Sequence, residues 1–379
     1  MKQYVRSHLE KANVMPARVK PPLMLQKEPS MSMTSIEIIE SLQAKIIGQG
    51  ASIESIVPYI TAFSAGLTSD ARPIGNFLLL GPSGTGKTHS VECLADVLHG
   101  DAKKLIRVDC GQFTLSHEVA KLLGAPAGYL GHRETTPLIT QKRLAENTTD
   151  HCPISIVLFD EIEKAHSSLF DTLLSITDKA SLSMGDNSTV SFANSLIFFT
   201  SNIGARQMAA TITPELGFGI GGKSAASHTK MEKVGMVALK KKFSPEFLGR
   251  IDEVIVYNTL TYEAVKSIFT IVVDKLRSNI YKKHGDRSFL LVFSEDAISF
   301  LISKGYSDQY GARELSRILF RHVTNPLSDL VTSVGISPGA VCRVSLAEEK
   351  IVLTVLDHDI VENALKKIKN SGELSLTIA

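Results

Sequence analysis

The stretch NFLLLGPSGTGKT, residues 76–88, decides how the rest of the chain is interpreted. Its first half is a run of apolar residues that ends at Gly81, which is typical of a short buried β-strand. Its second half, GPSGTGKT, fits the pattern GxxxxGK[ST] in full. The next stretch, HSVECLADVLHG, has apolar residues at helical spacing and ends at Gly100. A strand, a glycine-rich loop and a helix in this order predict a phosphate-binding loop.

Each part of that loop has a chemical role in holding a nucleotide. Glycines allow successive backbone N–H groups to converge on phosphate oxygens, and the helix N-terminus adds partial positive charge. We expect Lys87 to reach the β- and γ-phosphates and the Thr88 hydroxyl to coordinate Mg²⁺. ATP and Mg²⁺ are therefore the predicted cofactors. The predicted ATP-binding residues here are Gly81, Pro82, Ser83, Gly84, Thr85, Gly86, Lys87, Thr88 and His89.

Polar residues end two further apolar runs. SIVLFDEIEKAH carries Asp160 and Glu161 at the end of its strand, and FFTSN ends in Asn202. We expect Asp160 to face the metal and Glu161 to orient and polarise the attacking water. Asn202 is expected to hydrogen-bond the γ-phosphate or that water. The alternatives are the acidic start of a helix for the carboxylates and a turn-capping role for Asn202.

The order of strands and helices predicts an α/β fold. Besides the first strand, KLIRVD, PISIVLFDE, NSLIFFTSN and DEVIVYN are apolar strands separated by helices, which favours a parallel sheet covered on both faces. Three amphipathic helices and a strand pair follow. We predict a flexible basic tail at residues 1–35, a large domain at 36–258, a small mostly helical domain with a terminal β-hairpin at 259–356, and a helix and tail at 357–379.

Composition narrows the classes of partner and compartment. The net charge of the 379-residue chain is +2, so bulk charge favours neither a nucleic acid nor a membrane as partner. No apolar run approaches the roughly 18 residues that span a bilayer. The four cysteines have no CxxC spacing, so we expect reduced thiols in a cytoplasmic protein rather than a zinc site or disulfides. They are Cys93, Cys110, Cys152 and Cys342.

Several motifs occur together in the order and spacing of one protein family. They are KIIGQ, RPIGNFLLLGPSGTGKT, LLGAPAGYLG, IVLFDEIEKAH, FTSNIGA, FSPEFLGRIDEVIVY and YGARELSRIL. With them the chain resembles the Clp-type AAA+ unfoldases and disaggregases, in particular the C-terminal second ATPase module of the two-ring members. The resemblance implies a P-loop AAA+ fold, with a three-layer αβα domain built on a five-stranded parallel sheet and a small lid domain. It also implies a homo-hexamer that hydrolyses ATP and threads unfolded or aggregated protein through a central pore.

The resemblance assigns further site residues. Arg250 in FLGRID resembles the arginine finger that reaches the nucleotide of the neighbouring subunit; the alternative is a salt bridge to Asp252. Arg313 in YGAR resembles the second sensor arginine; the alternative is a solvated helix charge. Ile46 and Ile47 resemble the apolar contacts to the adenine, and core packing is the alternative for both.

Two loops are assigned to macromolecular partners by the same resemblance. In the family, a glycine-flanked aromatic lines the pore and grips the substrate, and here Gly128, Tyr129, Leu130 and Gly131 match it. An aromatic ring offers apolar area and stacking to any passing side chain. Leu216, Gly217 and Phe218 resemble the tripeptide with which some members dock on a Clp-type peptidase. A partly buried surface tyrosine and a local packing contact are the respective alternatives.

The chain departs from the family in ways that leave its partners open. HRETTP follows the tyrosine loop where an acidic residue and paired glycines are usual, and we expect no N-terminal substrate domain or first ATPase ring among these residues. A Clp-type peptidase or an adaptor therefore stays an open partner. Two other function classes remain: a nucleic-acid motor or loader, which would need a channel rich in Lys and Arg, and a nucleotide-switched assembly scaffold.

Overall fold

The computed structural model describes residues 33–124, 137–204, 224–285, 288–306, 311–333 and 335–356. The strands are β1 Gly75–Leu80, β2 Ile106–Asp109, β3 Ser155–Asp160, β4 Ser181–Ser183, β5 Thr189–Ser191, β6 Ser195–Ser201, β7 Glu253–Val256, β8 Leu290–Phe293, β9 Val341–Ala347 and β10 Lys350–Leu356. The helices before residue 260 are α1 Ser35–Lys45, α2 Gly50–Glu54, α3 Val57–Ser64, α4 Lys87–His99, α5 Ala120–Leu123, α6 Gln141–Glu146, α7 Ser167–Lys179, α8 Ser224–Lys242 and α9 Pro245–Leu248. Those after it are α10 Tyr262–His284, α11 Glu295–Gly305, α12 Leu315–Leu319 and α13 Asn325–Ser333.

Five strands form the central sheet in the order β2-β3-β6-β1-β7. Every neighbouring pair is parallel, so the predicted five-stranded parallel sheet is confirmed. The register brings the carboxyl ends of the strands to one edge, with Leu80 opposite both Ser201 and Val256 and Asp109 opposite Asp160.

Alternate residues of the sheet face opposite layers, and both layers are apolar. Leu78, Leu80 and Phe159 belong to one buried cluster, while Phe77 and Leu79 belong to the other. Because side chains of a strand point alternately to its two faces, a strand buried on both faces reads as a continuous apolar run. Every residue of β1, β3 and β6 is buried, which confirms the three-layer arrangement.

A separate apolar core forms after Leu260 from the last helices and a second sheet. That sheet has the order β10-β9-β8; β9 and β10 are antiparallel and make the predicted hairpin. Strand β8, which pairs with β9 in parallel, was not predicted. The last of the three predicted amphipathic helices, at residues 312–331, is segmented by a π-helical turn at Phe320–Thr324. This turn lies just before Pro326, which has no backbone N–H to donate.

A small hairpin interrupts the large domain between α7 and β6. Strands β4 and β5 pair antiparallel in the stretch SLSMGDNSTVS, where the sequence predicted no element. The Gly185 N–H donates to the Leu123 carbonyl at 2.9 Å, so the hairpin tip is hydrogen-bonded to the end of α5.

None of the helices in the described part of the chain combines the length and the apolar character that crossing a bilayer demands.

Candidate nucleotide site

The phosphate loop begins where β1 ends, and its first glycine is held against another strand. The Gly81 N–H donates to the Ser201 carbonyl at 3.3 Å. Gly81 has φ +154°, and a Cβ added there would lie 2.7 Å from the Tyr257 carbonyl oxygen. A side chain at this position would therefore force the loop away from β7. Within the loop, the Thr85 hydroxyl donates to the Pro82 carbonyl at 2.9 Å.

Lys87 places a buried ammonium group inside the loop. Its side chain is 7% exposed, and Nζ donates to the Gly81 carbonyl at 2.8 Å, to the Pro82 carbonyl at 2.7 Å and to Asn202 Oδ1 at 2.8 Å. Burial lowers the pKa of Lys87 to about 8, so the group is mostly charged at neutral pH. These three acceptors are neutral oxygens, and the positive charge is free to bind an anion such as a phosphate.

Thr88 and Asp160 meet beside the lysine. The Thr88 hydroxyl donates to Asp160 Oδ1 at 3.2 Å. Asp160 also accepts a short hydrogen bond from the Thr200 hydroxyl and pairs with the guanidinium of Arg107. Hydroxyl and carboxylate oxygens suit Mg²⁺, which commonly takes one or two carboxylates and completes its shell with water and substrate phosphates. The side chains of Thr88 and Asp160 therefore suit the predicted Mg²⁺.

The described residues hold no group of three His, Cys, Asp or Glu side chains that could bind a metal without further ligands. Arg107 and Thr200 were missed by the sequence reasoning. Arg107 lies on β2 and Thr200 on β6, and their approach to Asp160 depends on the strand order, which a single sequence does not display.

Glu161 and Asn202 lie together next to Lys87. Asn202 Nδ2 is 3.5 Å from Glu161 Oε1, a long contact. The Glu161 N–H donates to the Thr200 hydroxyl at 2.9 Å, and its carboxylate also pairs with Lys164. Glu161 has φ 56°, a left-handed conformation that is strained for a glutamate and is often found at functional sites.

Glu163 is a second carboxylate that the sequence reasoning missed. Its Oε1 accepts from the Asn202 N–H at 3.0 Å, and its Oε2 is buried without a hydrogen-bond partner among the described residues. Its negative charge opposes the effect of burial on the pKa of Lys87. The sequence offered one signal for this residue. In DEIE, Glu163 follows Asp160 by three residues, about one helical turn, so its carboxylate lies at the same edge of the sheet as Asp160.

The segment between α1 and α2 contacts both cores. Ile46 packs in one core of the sheet domain, whereas Ile47 packs against the core of the small domain. Gln49, which is 3% exposed, donates to the Asn258 carbonyl at 2.9 Å and to the Thr85 carbonyl at 3.4 Å. It also accepts from the Asn258 N–H at 3.3 Å. Gln49 therefore connects the phosphate loop to the chain that leads into the small domain.

Arg313 lies in a turn that rests on the phosphate loop. The Ala312 N–H donates to the Gly84 carbonyl at 3.3 Å. Gly311 has φ +58°, and a Cβ there would lie 2.5 Å from the Gly84 carbonyl oxygen. Arg313 itself is exposed, and its charge contributes to the lowered pKa of Lys87. The small domain thus brings this arginine to the loop.

Arg250 and His89 make contacts within the chain that the sequence did not predict. Arg250 pairs with Asp178 at 2.5 Å, so the alternative pairing with Asp252 is wrong; Asp252 instead accepts from the Asn76 N–H at 2.8 Å and pairs with Arg72. The imidazole of His89 is exposed. Hydrogen bonds to Cys93 and, to a smaller extent, to Glu92 raise its pKa.

Two groups of predicted residues, 128–131 and 216–218, lie outside the described residues.

Comparison with known proteins agrees with this arrangement. The description "AAA domain (Cdc48 subfamily)" matches residues 72–254, and "C-terminal, D2-small domain, of ClpB protein" matches residues 260–344. The ATP-dependent Clp protease ATP-binding subunit ClpC of Staphylococcus aureus (strain USA300) is 36% identical over 302 residues, which cover 80% of this chain and 35% of the relative. ClpC of Staphylococcus epidermidis is 36% identical over 297 residues, 78% of this chain and 34% of the relative.

A solved structure matches as well. It is the closed-state cryo-EM reconstruction of Hsp104 with ATPγS and FITC-casein, with a TM-score of 0.70 and 30% identity, covering 85% of this chain and 52% of the Hsp104 chain. This chain thus spans about a third of the length of the curated relatives and half of the solved one. It belongs to the Clp-type AAA+ ATPases and carries an AAA domain followed by a ClpB-type D2-small domain.

Proposed function

We propose that this chain is an ATP-hydrolysing motor that remodels proteins. One observation carries the ATPase part: Lys87, Asn202 and Glu161 form a connected polar chain beside the Thr88–Asp160 pair. These contacts support the proposal because they bring a cation, a hydroxyl–carboxylate pair and a second carboxylate together at one edge of the sheet.

The binding half of the proposed reaction uses the loop. Lys87 would exchange its loop carbonyl partners for phosphate oxygens, and Thr88 and Asp160 would hold Mg²⁺, which would neutralise charge on the phosphates. Ile46 and Ile47 supply apolar contacts to the adenine. Arg313 adds positive charge from the small domain, whose docking on Gly84 closes the site.

The chemical half uses Glu161 and Asn202. Glu161 accepts a hydrogen bond from the attacking water and polarises it. Asn202 fixes the position of that carboxylate through its amide while its carbonyl oxygen holds Lys87. The Thr200 hydroxyl anchors the Glu161 backbone, so β6 aligns the base with the loop.

We also propose that a homo-hexameric ring completes the site. The Arg250 guanidinium pairs with Asp178 and its carbonyl accepts from Asn76, at the opposite end of α7 from Glu161. A finger at that position serves the nucleotide of a neighbouring subunit rather than its own. A guanidinium there would stabilise charge on the transferring phosphoryl group.

Unfolded or aggregated protein is the proposed substrate. Support comes from the names of the relatives, an ATP-dependent Clp protease subunit and an Hsp104 complex that contains casein, and from the sequence around Tyr129. The ends of that segment meet: a Cβ at Gly124 would lie 3.0 Å from Pro137 Cγ, and the Leu138 N–H donates to the Lys121 carbonyl at 3.1 Å. The described residues on either side of positions 125–136 are therefore held close together. Docking of a Clp-type peptidase by residues 216–218, or of an adaptor, is a further proposal.

Replacing Glu161 by Gln tests this function. The E161Q variant should bind ATP as the wild type does, while its turnover falls by at least about a hundredfold, because the amide cannot act as a base. In ATP it should retain an unfolded model protein such as casein. The matched control is E146Q on the exposed surface of α6.

Turnover in E161Q close to that of the wild type would contradict the proposal. Retention of DNA instead of unfolded protein would favour the nucleic-acid alternative, and retention of a folded partner alone would favour the scaffold.

A further inference from the structure

The backbone at Arg250 is fixed from several sides. Asn76 is fully buried and donates to the Arg250 carbonyl at 3.0 Å and to the Thr177 carbonyl at 3.1 Å. The Asp252 N–H donates to the Asn76 carbonyl at 2.9 Å. The start of β1 and the end of α7 therefore hold the main chain around Arg250, and the direction of its guanidinium is set by side-chain contacts.

Asp178 is the side chain that sets this direction. It stands in the last turn of α7, where the partial negative charge of the helix end disfavours a carboxylate. Its compensation is the 2.5 Å ion pair with Arg250, in which the side chains are 32% and 38% exposed. Ion pairs that are partly open to solvent typically add little stability, so the main effect of this pair is on the direction of the guanidinium.

We infer that Asp178 is a positioning residue for ATP hydrolysis in the neighbouring subunit, acting through Arg250. This inference rests on the proposed function, in which Arg250 reaches across the ring. A guanidinium has five N–H donors. It can keep one edge on Asp178 while it presents the other edge to a phosphoryl oxygen of the next subunit.

The same pair connects two nucleotide sites. Helix α7 begins a few residues after Glu161 and ends at Lys179, next to Asp178, so its two ends serve the proposed base of one subunit and the proposed finger for the next. A shift of α7 would move Asp178 and Arg250 together. Without Asp178 the guanidinium would lose its fixed direction, and even small misplacements of a catalytic group cost large factors in rate.

The first test measures steady-state ATP turnover of the full chain in assembled form. D178A should lower kcat about tenfold or more, while nucleotide affinity and assembly stay as in the wild type. D178E should recover part of the loss. In the R250A background, D178A should have no further effect. E146A, which breaks the exposed pair with Lys142, is the matched control and should leave kcat unchanged.

The second test assigns the effect to a subunit. Chains with R250A keep their own Glu161, and chains with E161Q keep their own Arg250, so a mixture of the two should regain turnover. Mixing R250A chains with E161Q/D178A chains should regain about tenfold less. A purely structural role for Asp178 would not depend on which chain carries the change.

The outcomes separate the inference from the proposed function. Full recovery with the E161Q/D178A chains, or additive losses in the R250A/D178A double variant, would overturn the role of Asp178 and leave the finger intact. Unchanged turnover in R250A would overturn both the finger and the positioning residue.

Discussion

At the scale of single residues, the candidate site joins side chains from distant parts of the chain around Lys87 and Asp160. The motif GPSGTGKT identifies Lys87 and Thr88, and the strand ends identify Asp160, Glu161 and Asn202. The sequence does not predict the partners of these and other charged residues. The Lys87 ammonium donates to Asn202 Oδ1, Arg107 pairs with Asp160, and Asp178 pairs with Arg250. These partners lie on strands and helices far apart in the chain, and only the strand order brings them together.

The pKa of Lys87 predicts a pH dependence for ATP binding. Burial lowers this pKa to about 8, so the nucleotide-free ammonium loses its proton as the pH rises through that value. Binding an anion then requires proton uptake, and the Kd for ATP should rise about tenfold per pH unit above it. Fluorescence titration with a labelled nucleotide between about pH 7 and about pH 9 measures this. In K87R, whose guanidinium keeps its proton, the Kd should not change over this range. A flat wild-type profile would contradict the assignment.

Gln49 predicts a stability effect. In Q49L the Asn258 backbone and the Thr85 carbonyl lose their hydrogen-bond partner. Buried polar groups left unpaired cost about 1–3 kcal/mol, so the free energy of unfolding in urea should fall by that amount. Q43L is the matched control: Gln43 is an exposed glutamine on α1, and its replacement should change stability by less than about 0.5 kcal/mol. Equal effects of the two variants would show that Gln49 does not hold the loop.

At the scale of elements, periodicity predicted the buried strands and the long helices. The apolar runs of β1, β3 and β6 are readable because both of their faces are buried. The short strands were missed for the opposite reason. β8 leaves Leu290 and Val292 exposed, and β4 and β5 have three residues each, so neither pattern exceeds what a loop would show.

The turn at Gly311 allows a test of how the small domain packs on the phosphate loop. Gly311 and Gly285 have nearly the same backbone angles, φ 58° with ψ −141° and φ 54° with ψ −128°. A Cβ meets the Gly84 carbonyl at Gly311 but nothing within 4 Å at Gly285. Both G311A and G285A should lower stability by about 1–3 kcal/mol, measured by thermal unfolding. Only G311A should also weaken ATP binding and turnover, since only it pushes the small domain off the phosphate loop.

Equal turnover in the two glycine variants would contradict this account of domain docking. The comparison is informative because the strain of the backbone is the same in both, and the clash is the only intended difference.

At the scale of the whole molecule, the family was readable from the order of its motifs, whereas its assembly and partners were not. The large and small domains have separate cores. The domain limits 36–258 and 259–356 and the cytoplasmic location stay predictions, because nothing in one chain fixes them. A ring also needs contacts between copies, and these do not appear in the sequence of a single copy.

A finger that acts on the neighbouring subunit predicts that activity depends on concentration. Turnover per chain should fall steeply on dilution below the range where rings form, because each active site then lacks Arg250 of the next subunit. Parallel mass photometry gives the assembly state, and R250A should show the same low residual turnover at every concentration. Constant turnover per chain in fully dissociated material would rule out a shared site.

The central claim is that ATP turnover moves polypeptide through contact with Tyr129, and one measurement tests it most directly. ATP-dependent unfolding of a tagged fluorescent reporter is followed for the wild type, Y129F and Y129A, together with ATP turnover of each. The account predicts that Y129F unfolds the reporter, because the ring remains, and that Y129A does not, while all three hydrolyse ATP within about twofold of one another. Unfolding by Y129A at the wild-type rate would contradict the claim.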